Sequence, residues 1–331
     1  MDSKLDLQKI PKLIGQYSQD QAKKCYKVLK TTNWPLYLIG PSGSSKTITA
    51  MNLAKKYALD HQVPAYYVQL SPELTKTSLI LGHRLVKGSL EVVEGVVAKC
   101  MQEGGIIIVD EATHGTQELL LMFNSILDRT SATSIGDKIV YSKPTFRVIF
   151  CSNDSKYAGN VRLPQSFAQR LAVFNFEYPT WQDEMEISKN IASTECSQPI
   201  VLTENVAAYV TNMMRDIRNK DYPLSARNMA IALVLLNLAD KKSSKIDEYF
   251  TVGQNTEAIR TKIAERTFGG KVTSAKDLIS PEVVEVTQFI SDVGIENFRK
   301  AMYSSMLFYL DIDGTELMED EVKNKIQNSI C

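Results

Sequence analysis

A strand, a glycine loop and a helix follow one another across residues 36–61, and that order restricts the fold more than any other feature of the chain. LYLIG (36–40) is a short apolar run set off by Trp34-Pro35, and GPSGSSKT (40–47) is the loop. SKTITAMNLAKKYALDH (45–61) then has helical periodicity, with Ile48, Met51, Leu53, Ala54 and Ala58 on its buried side. The loop nearly fits the phosphate-binding pattern of Gly, four residues, Gly, Lys, then Ser or Thr. Gly40, Lys46 and Thr47 are in place; Pro41, Ser42, Gly43 and Ser44 fill the middle, and Ser45 stands where the second glycine belongs. Such a loop holds phosphate because it follows a strand and opens a helix, so that backbone N–H groups and the helix dipole face the anion. Lys46 would then reach the β- and γ-phosphates of a nucleotide, and the Thr47 hydroxyl would bind magnesium. A glycine-serine loop ahead of an ordinary helix has the same composition, so the loop alone does not decide the matter.

The second motif decides more. GGIIIVDEA (104–112) has four β-branched residues in a row, as suits a strand covered on both faces of a parallel sheet. It ends in two adjacent carboxylates, Asp110 and Glu111. At the ligand edge of an α/β sheet such a pair is costly without a role. Asp110 is expected to hold magnesium through water, and Glu111 to polarise the water that attacks a γ-phosphate. Taken alone, the pair also reads as a solvated acidic turn. Three further residues stand in suggestive order. Asn153, in FCSND, sits just past an apolar strand, where an amide can orient the attacking water, although Asn there is commonly a turn residue. Arg170 ends the short helix that Pro164 opens in LPQSFAQRL, and it either answers the helix C-terminus or stabilises charge on a neighbouring subunit's phosphate. Arg227, in PLSARNMAIAL, falls in the first turn of a helix that Ser225 can cap. The dipole disfavours a cation there, so Arg227 is expected to meet an external anion.

AYYVQL (65–70), TFRVIFCSN (145–153) and LAVFNFEY (171–178) read as further strands, with helical patterns at 75–81, 94–102, 115–129 and 164–170 between them. Residues 1–30 read as an amphipathic helix, with Leu5, Ile10, Leu13, Ile14, Cys25, Tyr26 and Leu29 as its apolar positions. Alternating strands and helices predict a doubly wound α/β domain over about 1–178. After Pro179 the texture turns helical, at 181–195, 203–220 and 225–240 and onward through 241–331, with FGGK (268–271) and DIDGT (311–315) as turns.

Lys plus Arg and Asp plus Glu both number 38, and that balance argues against a general nucleic-acid binder. The five cysteines, Cys25, Cys100, Cys151, Cys196 and Cys331, are scattered without a C-x-x-C pair, which fits a reducing cytoplasm better than a disulfide framework or zinc site. His61, His83 and His114 are isolated, and Tyr66-Tyr67 read as sheet packing. The acidic run GTELMEDEVKNK (314–325) reads as a solvated helix face. No apolar run reaches membrane-spanning length, so a soluble cytoplasmic protein is expected.

The five motifs, in this order, resemble the AAA+ ATPases, where they correspond to Walker A, Walker B, sensor 1, the arginine finger and sensor 2. TSLILGHRLVKGSLEVVEGVVAKCMQEGG resembles the helix-2 insert of the MoxR-like and dynein-related group, with a β-hairpin around 83–94 interrupting a helix. TSATSIGDKIVYSKPTFRV resembles the hairpin ahead of sensor 1. SNDSKYAG followed by LPQSFAQRL is similar to stretches of the ATPases that activate rubisco or nitric oxide reductase, and equally of the gas-vesicle ATPase. The resemblance covers about 10–240. It implies an α/β fold with the AAA+ P-loop three-layer α/β/α parallel sheet, followed by an all-helical lid at 179–240 and a C-terminal helical region at 241–331. It implies ATP and Mg2+ as cofactors, ATP hydrolysis, and a homo-oligomeric ring, usually a hexamer. It implies Arg170 acting in trans, and a client complex recruited by a von Willebrand factor A domain partner.

Ser45 departs from the pattern. A serine held in a left-handed conformation costs about 1–2 kcal/mol, or about 5- to 30-fold in binding if nothing offsets it. The remaining catalytic positions are intact, so the expectation is a working ATPase that remodels a client. The competing readings are a metal-chelatase ATPase subunit, a gas-vesicle assembly factor, a nucleotide-gated scaffold and, least favoured, a nucleic-acid motor.

Overall fold

A computed structural model describes residues 3–86, 89–135, 138–153, 163–196, 200, 202–218, 224–238, 281–294, 297–298, 301–302 and 305. The expected turns at 268–271 and 311–315, and the acidic run at 314–325, lie outside these residues. The chain divides into two units, Met1–Tyr178 and Pro179–Cys331.

The first unit is built on a five-stranded parallel sheet: β1 (Leu36–Gly40), β2 (Ala65–Gln69), β5 (Ile106–Asp110), β8 (Arg147–Asn153) and β9 (Ala172–Asn175). Their order is β2-β5-β8-β1-β9. The apolar run of β5 is fully buried because it is covered twice. Ile106 and Ile108 join the cluster under α2 (Lys46–His61), and Ile107 and Val109 join the cluster on the other face. Alternate residues of a strand point to opposite faces, so a strand covered on both sides needs an unbroken apolar run. Helix α2 lies against its face of the sheet through Ala50, Leu53, Ala54, Tyr57 and Ala58, spaced three and four apart. On the opposite face stand α4 (Val96–Glu103) and α5 (Gln117–Leu127), whose Phe123 meets Phe150 edge-on, as Phe150 meets Phe167 of α6 (Gln165–Ala168).

Between α3 (Lys76–Ile80) and α4, an antiparallel hairpin of β3 (Leu81–Val86) and β4 (Ser89–Glu94) interrupts the helical run where the sequence predicts one. A second hairpin, β6 (Ala132–Ile135) with β7 (Lys138–Tyr141), precedes β8.

One expectation is corrected. The helix predicted over residues 1–30 begins only at Gln16 (α1, Gln16–Thr31). Upstream, Lys4 bridges antiparallel to Tyr66, the Leu5 N–H donates to the Ala65 carbonyl at 2.8 Å, and the Tyr67 N–H donates to that of Ser3 at 2.9 Å. The segment thus covers the open edge of β2. Pro11 blocks helical continuity, and Gly15, at φ 85°, turns the chain into α1.

The second unit is helical among its described residues: α7 (Trp181–Glu195), α8 (Glu204–Arg218), α9 (Ala226–Leu238) and α10 (Pro281–Val293). Its core gathers Val210, Met214, Met229, Leu233, Ile290 and Phe298. Within it Glu184, fully buried, accepts hydrogen bonds from Arg215 and Arg218 of α8. Among the described residues, no helix is long and apolar enough to cross a membrane.

Candidate functional site

Strands β1, β5 and β8 all end on one edge of the sheet. Gly40 pairs with Asn153, and Gln69 with Asp110. The chain leaves β1 through α2 for β2 at the far side, and β9 lies on the other side of β1. That is a topological switch point, where open α/β sheets place their ligands.

The loop from Gly40 is shaped by its backbone. A Cβ at Gly40 would fall 2.1 Å from the Phe176 carbonyl oxygen, so no side chain fits. Gly43 (φ 78°) and Ser45 (φ 65°) both take left-handed conformations around Ser44, whose buried hydroxyl donates to the Pro41 carbonyl at 2.8 Å. Among the described residues, no acceptor faces the N–H groups of Gly43, Ser45, Lys46 and Thr47. They are the free donors an anion needs.

Ser45 bears the strain that its missing glycine would have avoided. Ser45→Gly is expected to stabilise the protein by about 1 kcal/mol, the left-handed penalty less the extra chain entropy of glycine. Thermal unfolding in nucleotide-free buffer checks this, with a rise of about 2–4 °C expected for a unit of this size.

Lys46 is buried, and its Nζ donates to the carbonyls of Gly40 (2.9 Å) and Pro41 (2.7 Å) and to Asn153 Oδ1 (3.2 Å). Burial pulls its pKa below the ordinary lysine value, and the carboxylates of Glu111 and Asp110 oppose that fall.

Asp110 is almost fully buried and accepts three hydrogen bonds. Thr47 Oγ1 donates to Oδ2 at 3.0 Å, Tyr67 donates to the same oxygen at 2.9 Å, and the Glu111 N–H donates to Oδ1 at 2.9 Å. Glu111 follows in a left-handed conformation (φ 52°, ψ 44°) that opens the 3-10 turn Ala112–His114. Its Oε2 accepts from Asn153 Nδ2 at 3.4 Å and lies 3.6 Å from His114 Nδ1. Burial raises the Glu111 pKa above the usual glutamate range, and the Asp110 charge adds to the rise; His114 and Lys46 oppose it.

The structure therefore brings together Lys46, Thr47, Asp110, Glu111 and Asn153. It does not bring Arg170 to them. That side chain reaches Asp128 at 3.7 Å and donates to the Ser166 carbonyl. Arg227 belongs to the second unit, exposed in the first turn of α9 with no partner among the described residues. Ser225 behaves differently from the expected cap. Its hydroxyl donates to Asn228 Oδ1 at 2.9 Å, and the Asn228 side chain also receives the Ser225 N–H at 3.0 Å. The reach back from the third helical position thus comes from asparagine.

Tyr67 joins the site although the sequence pattern assigns it only to sheet packing. Both tyrosine rings pack in the sheet as expected, but the hydroxyls part company. Tyr66 bonds Glu103 at 2.6 Å, and Tyr67 bonds Asp110. His114 beside Glu111 is the second addition. Its only sequence signal was its place three residues after Glu111, on the next turn of the chain.

Magnesium ATP fits these residues. The loop offers free N–H donors and a buried cation for phosphate. Thr47 and Asp110 offer the hard oxygen donors that magnesium prefers.

Residues 35–171 match the family model described as AAA domain (dynein-related subfamily). An uncharacterised protein of Staphylococcus haemolyticus is 31% identical over 160 residues, covering 46% of this chain and 59% of that protein. One of Staphylococcus aureus is 30% identical over the same shares. The alignment thus spans about three fifths of those relatives. NtrX from Brucella abortus, crystallised in complex with ATP, superposes with a TM-score of 0.52 at 16% identity, covering 86% of this chain and 70% of that one. At that identity the likeness shows the P-loop AAA fold alone.

Proposed function

We propose that the first unit is an ATP-hydrolysing engine of the MoxR-like kind. The observation that carries this reading is the Thr47–Asp110 hydrogen bond at 3.0 Å, with Lys46, Glu111 and Asn153 on the same sheet edge. Bound magnesium ATP supplies the phosphoanhydride and the cation that neutralises its charge. The chain does the rest. The N–H groups of Gly43, Ser45, Lys46 and Thr47 and the Lys46 ammonium would hold the phosphates. Thr47 and Asp110 would hold the magnesium. Glu111, half-buried and more basic than a surface glutamate, would accept a proton from the attacking water. The Asn153 amide, bonded to both Lys46 and Glu111, would orient that water.

Arg170 is taken up within its own chain away from this cluster, which fits a finger that serves a neighbouring subunit's site in a hexameric ring. Arg227, a cation at a helix N-terminus with no partner among the described residues, suits a γ-phosphate sensor carried on a helical lid at 179–240. Turnover in such a ring, in the cytoplasm, would move the two hairpins of the first unit and remodel a client complex recruited by a von Willebrand factor A domain partner.

Removing Lys46 tests the binding half of this reading. Lys46→Ala deletes the only buried cation in the described cluster, and charge-assisted hydrogen bonds of this kind contribute about 1.5–3 kcal/mol each. Calorimetric titration with magnesium ATP is expected to show at least about 10-fold weaker binding. Equal affinity in Lys46→Ala would place the nucleotide elsewhere.

A further inference from the structure

The second hydroxyl on Asp110 has a use beyond packing. Thr47 Oγ1 and the Tyr67 phenol both donate to Oδ2 of Asp110, at 3.0 and 2.9 Å, from different elements. A threonine hydroxyl has one proton and two lone pairs. With its proton given to Asp110, both lone pairs are left for a cation. That orientation lasts only while Oδ2 stays in place, and a carboxylate turns readily about its terminal torsion. The Glu111 N–H fixes Oδ1. Tyr67 fixes Oδ2.

We infer that Tyr67 is a positioning residue for magnesium: its phenol holds the Asp110 carboxylate so that the Thr47 hydroxyl presents its lone pairs to the cation. The inference rests on the proposed nucleotide reading and adds to it a residue that the loop and acidic motifs do not contain.

Two observations make Tyr67 a firm anchor. Its strand is hydrogen-bonded on both edges, to Ile108 of β5 on one side and to Ser3 on the other. Its ring packs on the cluster beneath α2, the same helix that carries Thr47.

Tyr67→Phe keeps the ring and removes only the donor. The test is a titration of the full-length protein with a fluorescent ATP analogue, in EDTA and across a series of magnesium concentrations. Thermal unfolding in EDTA runs alongside. The expected result is a half-saturating magnesium concentration raised roughly 10-fold, as for other groups that orient metal ligands. Affinity in EDTA is expected to stay within about two-fold, with an unchanged unfolding midpoint. Tyr66→Phe, whose hydroxyl bonds Glu103 at 2.6 Å, serves as the neighbouring control and is expected to leave the magnesium dependence unmoved. An unshifted magnesium dependence in Tyr67→Phe overturns this inference alone. Equal losses with and without magnesium, together with a lowered unfolding midpoint, also overturn it, because they mark a structural role. An unmodified protein whose nucleotide affinity ignores magnesium overturns both this inference and the function it rests on.

Discussion

Glu111→Gln is expected to lower ATP turnover by about 10²- to 10⁴-fold while leaving nucleotide affinity within a few-fold. Glutamine keeps the shape of Glu111 and the hydrogen bond to Asn153, and loses only the capacity to take a proton. The site has been arranged around that capacity. Glu111 occupies a left-handed backbone conformation that a non-glycine residue adopts only at a cost, and the structure maintains it beside Asn153 and His114. Burial and the neighbouring Asp110 raise its pKa. The active form of a general base is the deprotonated one, so turnover is lost as pH falls through the Glu111 pKa. Because that pKa is raised, the acid limb of the pH–rate profile is expected at a higher pH than for a surface glutamate. Phosphate release measured across pH for both proteins checks the two statements together. A Glu111→Gln variant that turns over as fast as the unmodified protein would remove Glu111 from the chemistry.

The second large effect falls in the helical unit. Glu184 is fully buried in the first turn of α7. Both of its oxygens are taken by guanidinium groups 31 and 34 residues away in sequence, Arg215 and Arg218. Arg218 also donates to the Leu224 carbonyl, and Arg215 to that of Pro179 at 2.9 Å, so the triad ties the start of α7 to the end of α8. Glu184→Gln leaves the buried Arg218 and the partly buried Arg215 facing a neutral amide. Breaking a buried ion pair from one side costs about 3–5 kcal/mol, because the remaining charge stays desolvated. The measurement is urea unfolding of the full chain followed by Trp181 fluorescence. Trp34→Phe serves as the background, so that only the second unit reports. The Trp181 transition is expected to move to clearly lower urea. An unmoved transition would mean the triad contributes little beyond what the amide supplies.

The elements that were legible in the sequence are those whose cause is local. The run Ile106 to Val109 announces a strand covered on both faces, and the structure buries every residue of it. The loop from Gly40 announces its own strand and helix, and Ser45 announces the strain that its φ of 65° confirms. What was not legible depends on partners distant in the chain. Leu5, Ile10 and Leu13 read as one face of a helix. Residues 3–5 instead pair with the edge of β2, a hydrogen-bonding opportunity that exists only once the sheet has formed. Tyr67 reaches Asp110 because β2 and β5 pair with Tyr67 opposite Ile108, and a slip of one residue would point it to the other face. The Glu184 triad has no sequence signature, since a glutamate in the first turn of a helix is also what an exposed helix prefers. Arg170 was legible as a cation at a helix C-terminus, and there it donates to the Ser166 carbonyl. Arg227 was legible as a cation in an unusual place, the first turn of α9. The phosphates proposed for the two arginines lie outside what a single chain's pattern contains.

We propose that this loop, serine and all, serves a working ATPase. Phosphate release from ATP by the unmodified protein, measured with magnesium and again with EDTA, is the deciding experiment. Steady release with magnesium that EDTA abolishes is the result expected from Lys46, Thr47, Asp110 and Glu111 as they stand. ATP bound in the presence of magnesium but recovered unhydrolysed would contradict it.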